Sequence, residues 1–152
     1  MVPLKNYPPK LIASHFYRDS GQRVPQTHEE ILRVIYESLV MKYRYFLNLI
    51  IEISGKEVNK LHVLGGGSQN SLLNQFCANA MQIPVIAGPA EATSIGNAMV
   101  QLISIGEIRD HQEARKIIKD STSLNYFEPK EEKIWNEQFE RYEKDIIRKS
   151  VG

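Results

Sequence analysis

A short apolar run that ends in three consecutive glycines is the feature that most constrains the fold of this chain. Residues 61–64 (LHVL) are followed by Gly65, Gly66 and Gly67, and then by a segment with helical periodicity. A short apolar run bounded by glycine is typical of a buried strand in a mainly parallel sheet. Glycine permits a positive φ and lets a ligand approach the backbone without a Cβ in between. The sequence therefore predicts a strand, a tight turn and a helix whose first N–H groups are free for a ligand.

The glycine turn by itself does not identify a ligand, because a strand-to-helix turn that binds nothing explains it equally well. In the P-loop pattern G-x-x-x-x-G-K-[ST], the last glycine falls on Asn70 when the pattern starts at Gly65. The residues after Asn70 are Ser71 and Leu72, so the required lysine is absent. The dinucleotide pattern G-x-G-x-x-G matches at its first two glycines, but Asn70 replaces the third. The next acidic residue is Glu91, too far along to contact a ribose in that way. Both familiar nucleotide motifs are therefore disfavoured.

The remaining pattern is helical, with one further short strand. We predict that Ser68 caps the helix after the glycines. The predicted strands are residues 61–64 and 84–87, and the predicted helices are 10–19, 27–54, 68–81, 91–105, 110–119 and an amphipathic tail helix, 130–149.

The helix predicted after Thr27 has the clearest signals. Thr27 and Glu30 form a capping-box pattern, T-x-x-E, and Gly55 marks the end. Apolar residues recur at spacings of three and four and predict one buried face, formed by Ile31, Ile35, Leu39, Tyr43, Phe46, Ile50 and Ile53. In the next helix we expect Leu72, Leu73, Phe76 and Ala80 to face inward.

The pattern is α/β, and we interpret residues 1–152 as a single domain. Two short strands are too few for a complete α/β sheet of this length. Either further strands lie in the predicted loops, or the sheet begins in residues outside this chain.

Composition excludes some classes of function. Lys and Arg total 19 against 18 for Asp and Glu, so no net charge favours nucleic acid or an anionic membrane. The single cysteine, Cys77, excludes an intrachain disulfide and favours a reducing, cytoplasmic location. Charges interrupt the most apolar stretch, 31–53, which argues against a membrane span. The four histidines are scattered and show no metal-site spacing.

Two motifs together resemble a known family. Residues 65–70 (GGGSQN) with 72–75 (LLNQ) resemble the adenosine motif in the C-terminal domain of the FGGY carbohydrate kinases. Residues 88–93 (GPAEAT), followed by 95–97 (IGN) and Gln101, are most similar to the rhamnulokinase group of that family. The resemblance covers roughly residues 13–129, and it is the combination of motifs that makes it specific.

The resemblance implies a partial actin/hexokinase/Hsp70-like (ribonuclease H-like) ATPase domain, helix-rich and with a truncated sheet. It implies ATP and Mg²⁺ as cofactors and L-rhamnulose as the phosphate acceptor. The nucleotide-contacting residues it implies are Gly65, Gly66, Gly67, Ser68 and Asn70, with Gly66 matching the glycine that contacts ATP. It places the catalytic base, the sugar pocket, the phosphate loops and the magnesium site upstream of the matched region.

Other interpretations remain open. The chain could be a non-enzymatic remnant that binds a nucleotide or a partner, or part of another FGGY kinase such as a fuculokinase or xylulokinase. We expect the partner to be the N-terminal half of a kinase, or a second copy paired through the truncated sheet. Glu91, Thr93 and Asn97 are expected to cap a helix or bond within the core rather than contact a ligand.

Overall fold

The computed structural model describes residues 23–144, so the helix predicted over 10–19 and the end of the predicted tail helix lie outside the described residues. The helices are α1 (His28–Ser54), α2 (Ser71–Met81), α3 (Ala92–Ser104), α4 (His111–Ser121) and α5 (Glu132–Tyr142). The strands are β1 (Leu61–Val63), β2 (Val85–Ala87) and β3 (Asn125–Phe127), and a 3₁₀ turn covers Gly65–Gln69.

The chain divides into two compact units between Leu39 and Val40, within α1. In the first unit, α1 begins at the predicted capping box. The Glu30 N–H donates to Thr27 Oγ1 at 3.2 Å, and Glu30 Oε2 accepts from the Gln26 and Thr27 N–H groups at 2.6 and 3.4 Å. The hydrogen bond from Gln26 is the main cause of a lowered pKa for the Glu30 carboxyl. The helix start predicted from T-x-x-E is therefore confirmed.

The second unit contains a three-stranded sheet in the order β1-β2-β3. Strand β1 pairs with β2 in parallel, with Leu61 opposite Val85, and β2 pairs with β3 in antiparallel fashion, with Val85 opposite Phe127. The sequence located β1 and β2 but not β3, which lies in a segment that we interpreted as a loop, one of the two alternatives left open for the sheet. Its three residues, Asn-Tyr-Phe, are too few to show an alternating pattern. The fold is a helix-rich α/β arrangement with a small sheet.

The core of this unit lies between α2, the sheet and α5. The buried residues that form it are Val40, Met41, Cys77, Ala78, Ala80, Val85, Trp135 and Phe139. The Phe76 and Trp135 rings lie 5.3 Å apart between their centroids, and the Arg44 guanidinium lies 4.2 Å from the centroid of the Phe139 ring. Of the tail helix predicted over 130–149, the structure describes α5, whose buried Trp135 and Phe139 complete this core.

The prediction of a buried face on α1 was wrong for residues 43–53. Val40 and Met41 are the buried residues of α1, whereas Tyr43, Phe46 and Ile50 are about half-exposed and Ile53 is 85% exposed. Leu72 on α2 is also exposed, contrary to the prediction. Periodicity identifies an apolar face, but burial also needs something to cover that face. No element among residues 40–144 covers this side of α1.

Candidate functional site at the ends of the parallel strands

The two parallel strands end at the same edge of the sheet, and each is followed by a glycine-containing turn. Gly65 begins the turn after β1, and Gly88 begins the turn after β2. In open α/β sheets, ligands bind outside the carboxyl ends of the parallel strands. The helices α2 and α3 follow these turns, so their N-termini lie at this edge too. The edge is therefore the candidate site.

The first turn is a 3₁₀ turn that the chain closes with its own groups. Gly65 has a φ of 73°, a left-handed conformation that favours glycine. The Ser68 hydroxyl, which is buried, donates to the Gly65 carbonyl at 2.7 Å. A Cβ on Gly67 would lie 3.5 Å from Val63 Cγ1, an ordinary contact. The turn shape thus depends mainly on Gly65 and Ser68.

Helix α2 begins later than predicted. Ser68 is not its cap, because the 3₁₀ turn continues to Gln69 and the α-helix starts at Ser71. Asn70 is the N-cap, and its Oδ1 accepts from the Leu73 N–H at 3.0 Å. Asparagine is among the strongest N-cap residues, so the local sequence explains the later start.

Gly66 is the glycine of the turn at which an added Cβ would meet nothing. It is exposed, its φ is not positive, and a Cβ placed on it would meet no atom within 4 Å. Neither the backbone conformation nor the packing of the described residues requires glycine at this position. A requirement for glycine here would have to come from a group outside the described residues that approaches the backbone closely.

Asn74 supports the turn from α2, a role that the sequence analysis did not assign. Its side chain is 1% exposed, and its Nδ2 donates to the Ser68 carbonyl at 3.0 Å and to the Gly67 carbonyl at 3.3 Å. The signal was an asparagine among apolar helix residues, because a buried amide must find hydrogen-bond partners.

The second turn is joined to the first. The Gly88 N–H donates to the Val63 carbonyl at 2.8 Å, and the Gly65 N–H donates to the Pro89 carbonyl at 3.0 Å. The Gly88–Pro89 peptide bond is cis, and Gly88 has a φ of 118°. A Cβ on Gly88 would lie 3.1 Å from the Ser123 carbonyl oxygen, so glycine is needed there on both counts. The two turns therefore form one hydrogen-bonded unit.

The residues that follow the second turn point outward. Glu91 is the N-cap residue of α3 but makes no side-chain cap hydrogen bond, and Thr93 and Asn97 are exposed. The capping role expected for Glu91 is therefore not seen. Helix α3 packs on α4 but has no buried residue.

The structure of residues 23–144 bears on three other kinds of function: metal binding, thiol chemistry and membrane insertion. That part of the chain contains no group of three or more His, Cys, Asp or Glu side chains arranged to bind a metal ion. Burial raises the pKa of the Cys77 thiol to about 11, so the reactive thiolate form is suppressed at neutral pH. Within the same range, the structure contains no helix with the length and apolarity that a membrane span requires.

Comparison with known proteins adds to this geometry. Residues 6–105 match the model of the FGGY family of carbohydrate kinases, C-terminal domain. The chain is similar to a rhamnulokinase from Bacteroides thetaiotaomicron, with 45% identity over 121 residues, which are 80% of this chain and 25% of that protein. It is 42% identical over 112 residues to a rhamnulokinase from Klebsiella pneumoniae, covering 74% of this chain and 23% of that protein.

A rhamnulokinase from Pectobacterium atrosepticum is 37% identical over 128 residues, which are 84% of this chain and 26% of that protein. The chain thus spans about a quarter of the length of the curated relatives that it matches. The resemblance inferred from the glycine turn and from residues 88–101 is confirmed. The chain belongs to the FGGY family of carbohydrate kinases, and the matched region is that family's C-terminal domain.

Proposed function

We propose that this chain provides the adenosine-binding part of a rhamnulokinase-like sugar kinase. The reaction is the transfer of a phosphoryl group from ATP to L-rhamnulose, which yields ADP and L-rhamnulose 1-phosphate. The observation that supports this most directly is Gly66, an exposed glycine that the described residues do not themselves require. It lies at the carboxyl edge of the parallel strands, where α/β folds bind ligands.

Each residue of the turn has a distinct proposed role. Gly66 gives the nucleotide access to the backbone, Gly65 shapes the turn through its left-handed φ, and the Gly67 carbonyl is held by Asn74. Ser68 is buried and donates its hydroxyl proton to Gly65, so its contribution is to hold the turn. Asn70 Oδ1 accepts from the Leu73 N–H, so Asn70 also holds the start of α2 beside the turn.

The fold family implies Mg²⁺, and residues 23–144 contain no group of three or more His, Cys, Asp or Glu side chains that could hold it. Phosphoryl transfer depends on positioning and on charge stabilisation at the γ-phosphate. We propose that those functions, the catalytic base and the sugar pocket belong to the part of the kinase that the relatives possess beyond the matched quarter. This chain would then act jointly with that part.

Calorimetric titration with ADP tests the nucleotide site directly. Gly66→Ala adds a methyl group to open space, so the thermal melting temperature should stay unchanged. ADP affinity should fall at least about tenfold, which corresponds to about 1.4 kcal/mol, because the methyl group lies where the nucleotide approaches. Gly96→Ala is the matched control, since it also adds a methyl group to open space but within α3. Unchanged ADP affinity in Gly66→Ala would exclude this turn as the site.

The sugar is tested separately, in the presence of the part of a relative that lies outside the matched region. Co-expression with the remaining part of the Bacteroides thetaiotaomicron rhamnulokinase should give ADP release that depends on L-rhamnulose. Release with L-fuculose or D-xylulose instead would assign the chain to another kinase of the family. The second candidate function is a nucleotide- or partner-binding module without catalysis. ADP binding without turnover of any of these sugars would support it.

A further inference from the structure

We propose that Asn74 is a positioning residue of the nucleotide site: its side-chain amide holds the glycine turn, before any nucleotide binds, in the conformation that exposes Gly66. The inference rests on the proposed function, because the turn is the proposed site. Asn74 itself is 1% exposed, so it acts through the backbone of the turn and not by touching the ligand.

The turn consists of residues that are costly to hold in one conformation. Gly65, Gly66 and Gly67 are consecutive, and glycine loses more conformational freedom than any other residue when its backbone is fixed. A ligand that had to order such a turn itself would bind more weakly by the free energy of that ordering. A group within the chain that fixes the turn in advance therefore raises the affinity for the ligand.

The Asn74 amide bonds to the end of the turn. Its Nδ2 donates to the Ser68 carbonyl at 3.0 Å and to the Gly67 carbonyl at 3.3 Å. The last carbonyl groups of a helical turn lack partners within it, apart here from the Asn70 N–H, which donates to the Gly67 carbonyl at 3.2 Å. One amide nitrogen carries two hydrogens, so a single asparagine is suited to hold both carbonyl groups.

The start of the turn is fastened separately. The Ser68 hydroxyl donates to the Gly65 carbonyl at 2.7 Å, and the Gly65 N–H donates to the Pro89 carbonyl at 3.0 Å. Gly66 thus lies between two fastened points, one at Gly65 and one that Asn74 provides. Gly66 is exposed and has no side chain to pack, so its own contacts do not fix it. Loss of the Asn74 amide would release the chain on one side of Gly66.

The Asn74 amide is itself held by the core. Cys77 and Ala78, one turn further along α2, are core residues, and the Asn74 N–H donates to the Asn70 carbonyl at 3.0 Å. A buried amide without partners is costly, so the folded chain keeps the bonds from Asn74 to the turn. The packing of α2 is in this way transmitted to the glycines.

The alternative is a buried asparagine that satisfies its own hydrogen bonds and does nothing more, and the same helix contains a residue for comparison. Asn79 is 4% exposed, and its Oδ1 accepts from the Lys130 N–H at 3.0 Å and from Gln75 Nε2 at 2.8 Å. These bonds lead to the segment before α5 and not to the turn. Asn79→Ala is therefore a matched control for Asn74→Ala, because both remove a buried asparagine from α2 and the partners differ.

The first test needs no nucleotide. Nitrogen NMR relaxation of the Gly66 amide in the 152-residue chain measures how rigidly the turn is held. We expect an order parameter of about 0.85 in the unmodified chain and in Asn79→Ala, and below about 0.6 in Asn74→Ala. Equal order parameters in the two variants would overturn the proposal.

The second test is calorimetric titration with ADP at a temperature where circular dichroism shows both variants folded. Both substitutions should lower the melting temperature, because each leaves buried backbone groups without a partner. ADP affinity should fall at least about tenfold in Asn74→Ala and stay within about twofold of the unmodified value in Asn79→Ala. Equal losses of affinity would show that Asn74 contributes general stability, which contradicts the proposal.

Asn74→Leu covers the case in which Asn74→Ala does not fold. Leucine has a branched side chain that fills the same space, favours a helix and has no N–H group to donate. An unchanged order parameter and unchanged ADP affinity in folded Asn74→Leu would contradict the proposal. An unmodified chain that does not bind ADP would contradict the proposed function alone, since the Gly66 order parameter is measured without nucleotide and still decides whether Asn74 holds the turn.

Discussion

The unit that contains the sheet has two apolar surfaces, and they differ in what covers them. The surface formed by α2 and β2 is closed by α5, which contributes Trp135 and Phe139 to the core. The surface formed by α1 and β1 has no covering element among residues 40–144, and Phe46 and Ile50 remain half-exposed. Both surfaces contain aromatic and aliphatic side chains. A substitution in either surface should therefore change the free energy of unfolding of the isolated chain according to whether another element covers the side chain, and not only according to how hydrophobic the side chain is.

A substitution in the surface that α5 closes should lower the free energy of unfolding most. Trp135→Ala removes a buried ring that packs against Phe76, and we expect a loss of about 3–5 kcal/mol in the free energy of unfolding. Urea denaturation monitored by circular dichroism measures it. Ile134→Ala, at the adjacent exposed position, should change stability by less than about 0.5 kcal/mol. Similar losses in the two variants would show that α5 does not close the core.

A smaller effect is expected where a polar group fastens the start of α5 to α2. Asn79 Oδ1 accepts from the Lys130 N–H at 3.0 Å and from Gln75 Nε2 at 2.8 Å. Asn79→Ala leaves the Lys130 N–H without that partner, so we expect a loss of about 1–3 kcal/mol. Asn97→Ala, an exposed asparagine on α3, is the control and should be near neutral in the same urea experiment. A neutral Asn79→Ala would mean that water replaces the amide at little cost.

Loss of the N-cap of α2 should lower the free energy of unfolding by less than loss of the Asn79 side chain. Asn70→Ala removes the acceptor for the Leu73 N–H, and an N-cap loss typically costs about 0.5–2 kcal/mol. Asn70→Ser should restore most of the melting temperature, because serine caps a helix almost as well. Equal melting temperatures for the Ala and Ser variants would show that the cap is not what Asn70 contributes.

The features that the sequence predicted well depend on interactions between residues that are close together in the chain. The capping box at Thr27, the strand before Gly65 and the helix after it follow from interactions between neighbouring residues, and each was predicted close to its observed position. The glycine turn was identified for the same reason, since a φ of 73° at Gly65 is a local requirement. The family also followed from local motifs.

The features that were missed depend on distant parts of the chain. Strand β3 is defined by pairing with β2, some 40 residues earlier, and Asn74 supports the turn through carbonyl groups whose directions only the folded turn fixes. The burial of α1 was mispredicted because its apolar pattern shows which residues can be buried but not which element covers them. In the candidate site, the glycine turn after β1 could be predicted, whereas the accessibility of Gly66 required the structure.

The open surface should give the smallest effect, and it tests the comparison most directly. Ile53 lies on the predicted buried face of α1 but is 85% exposed, so Ile53→Ala should change the free energy of unfolding by less than about 0.5 kcal/mol. Val40 on the same helix is fully buried, and Val40→Ala should cost about 2 kcal/mol, because two methyl groups leave the core and a cavity remains. Paired urea titrations of the two variants measure the difference. A costly Ile53→Ala would show that something does cover this end of α1 in solution, and sedimentation at several concentrations would then reveal whether that cover is a second copy.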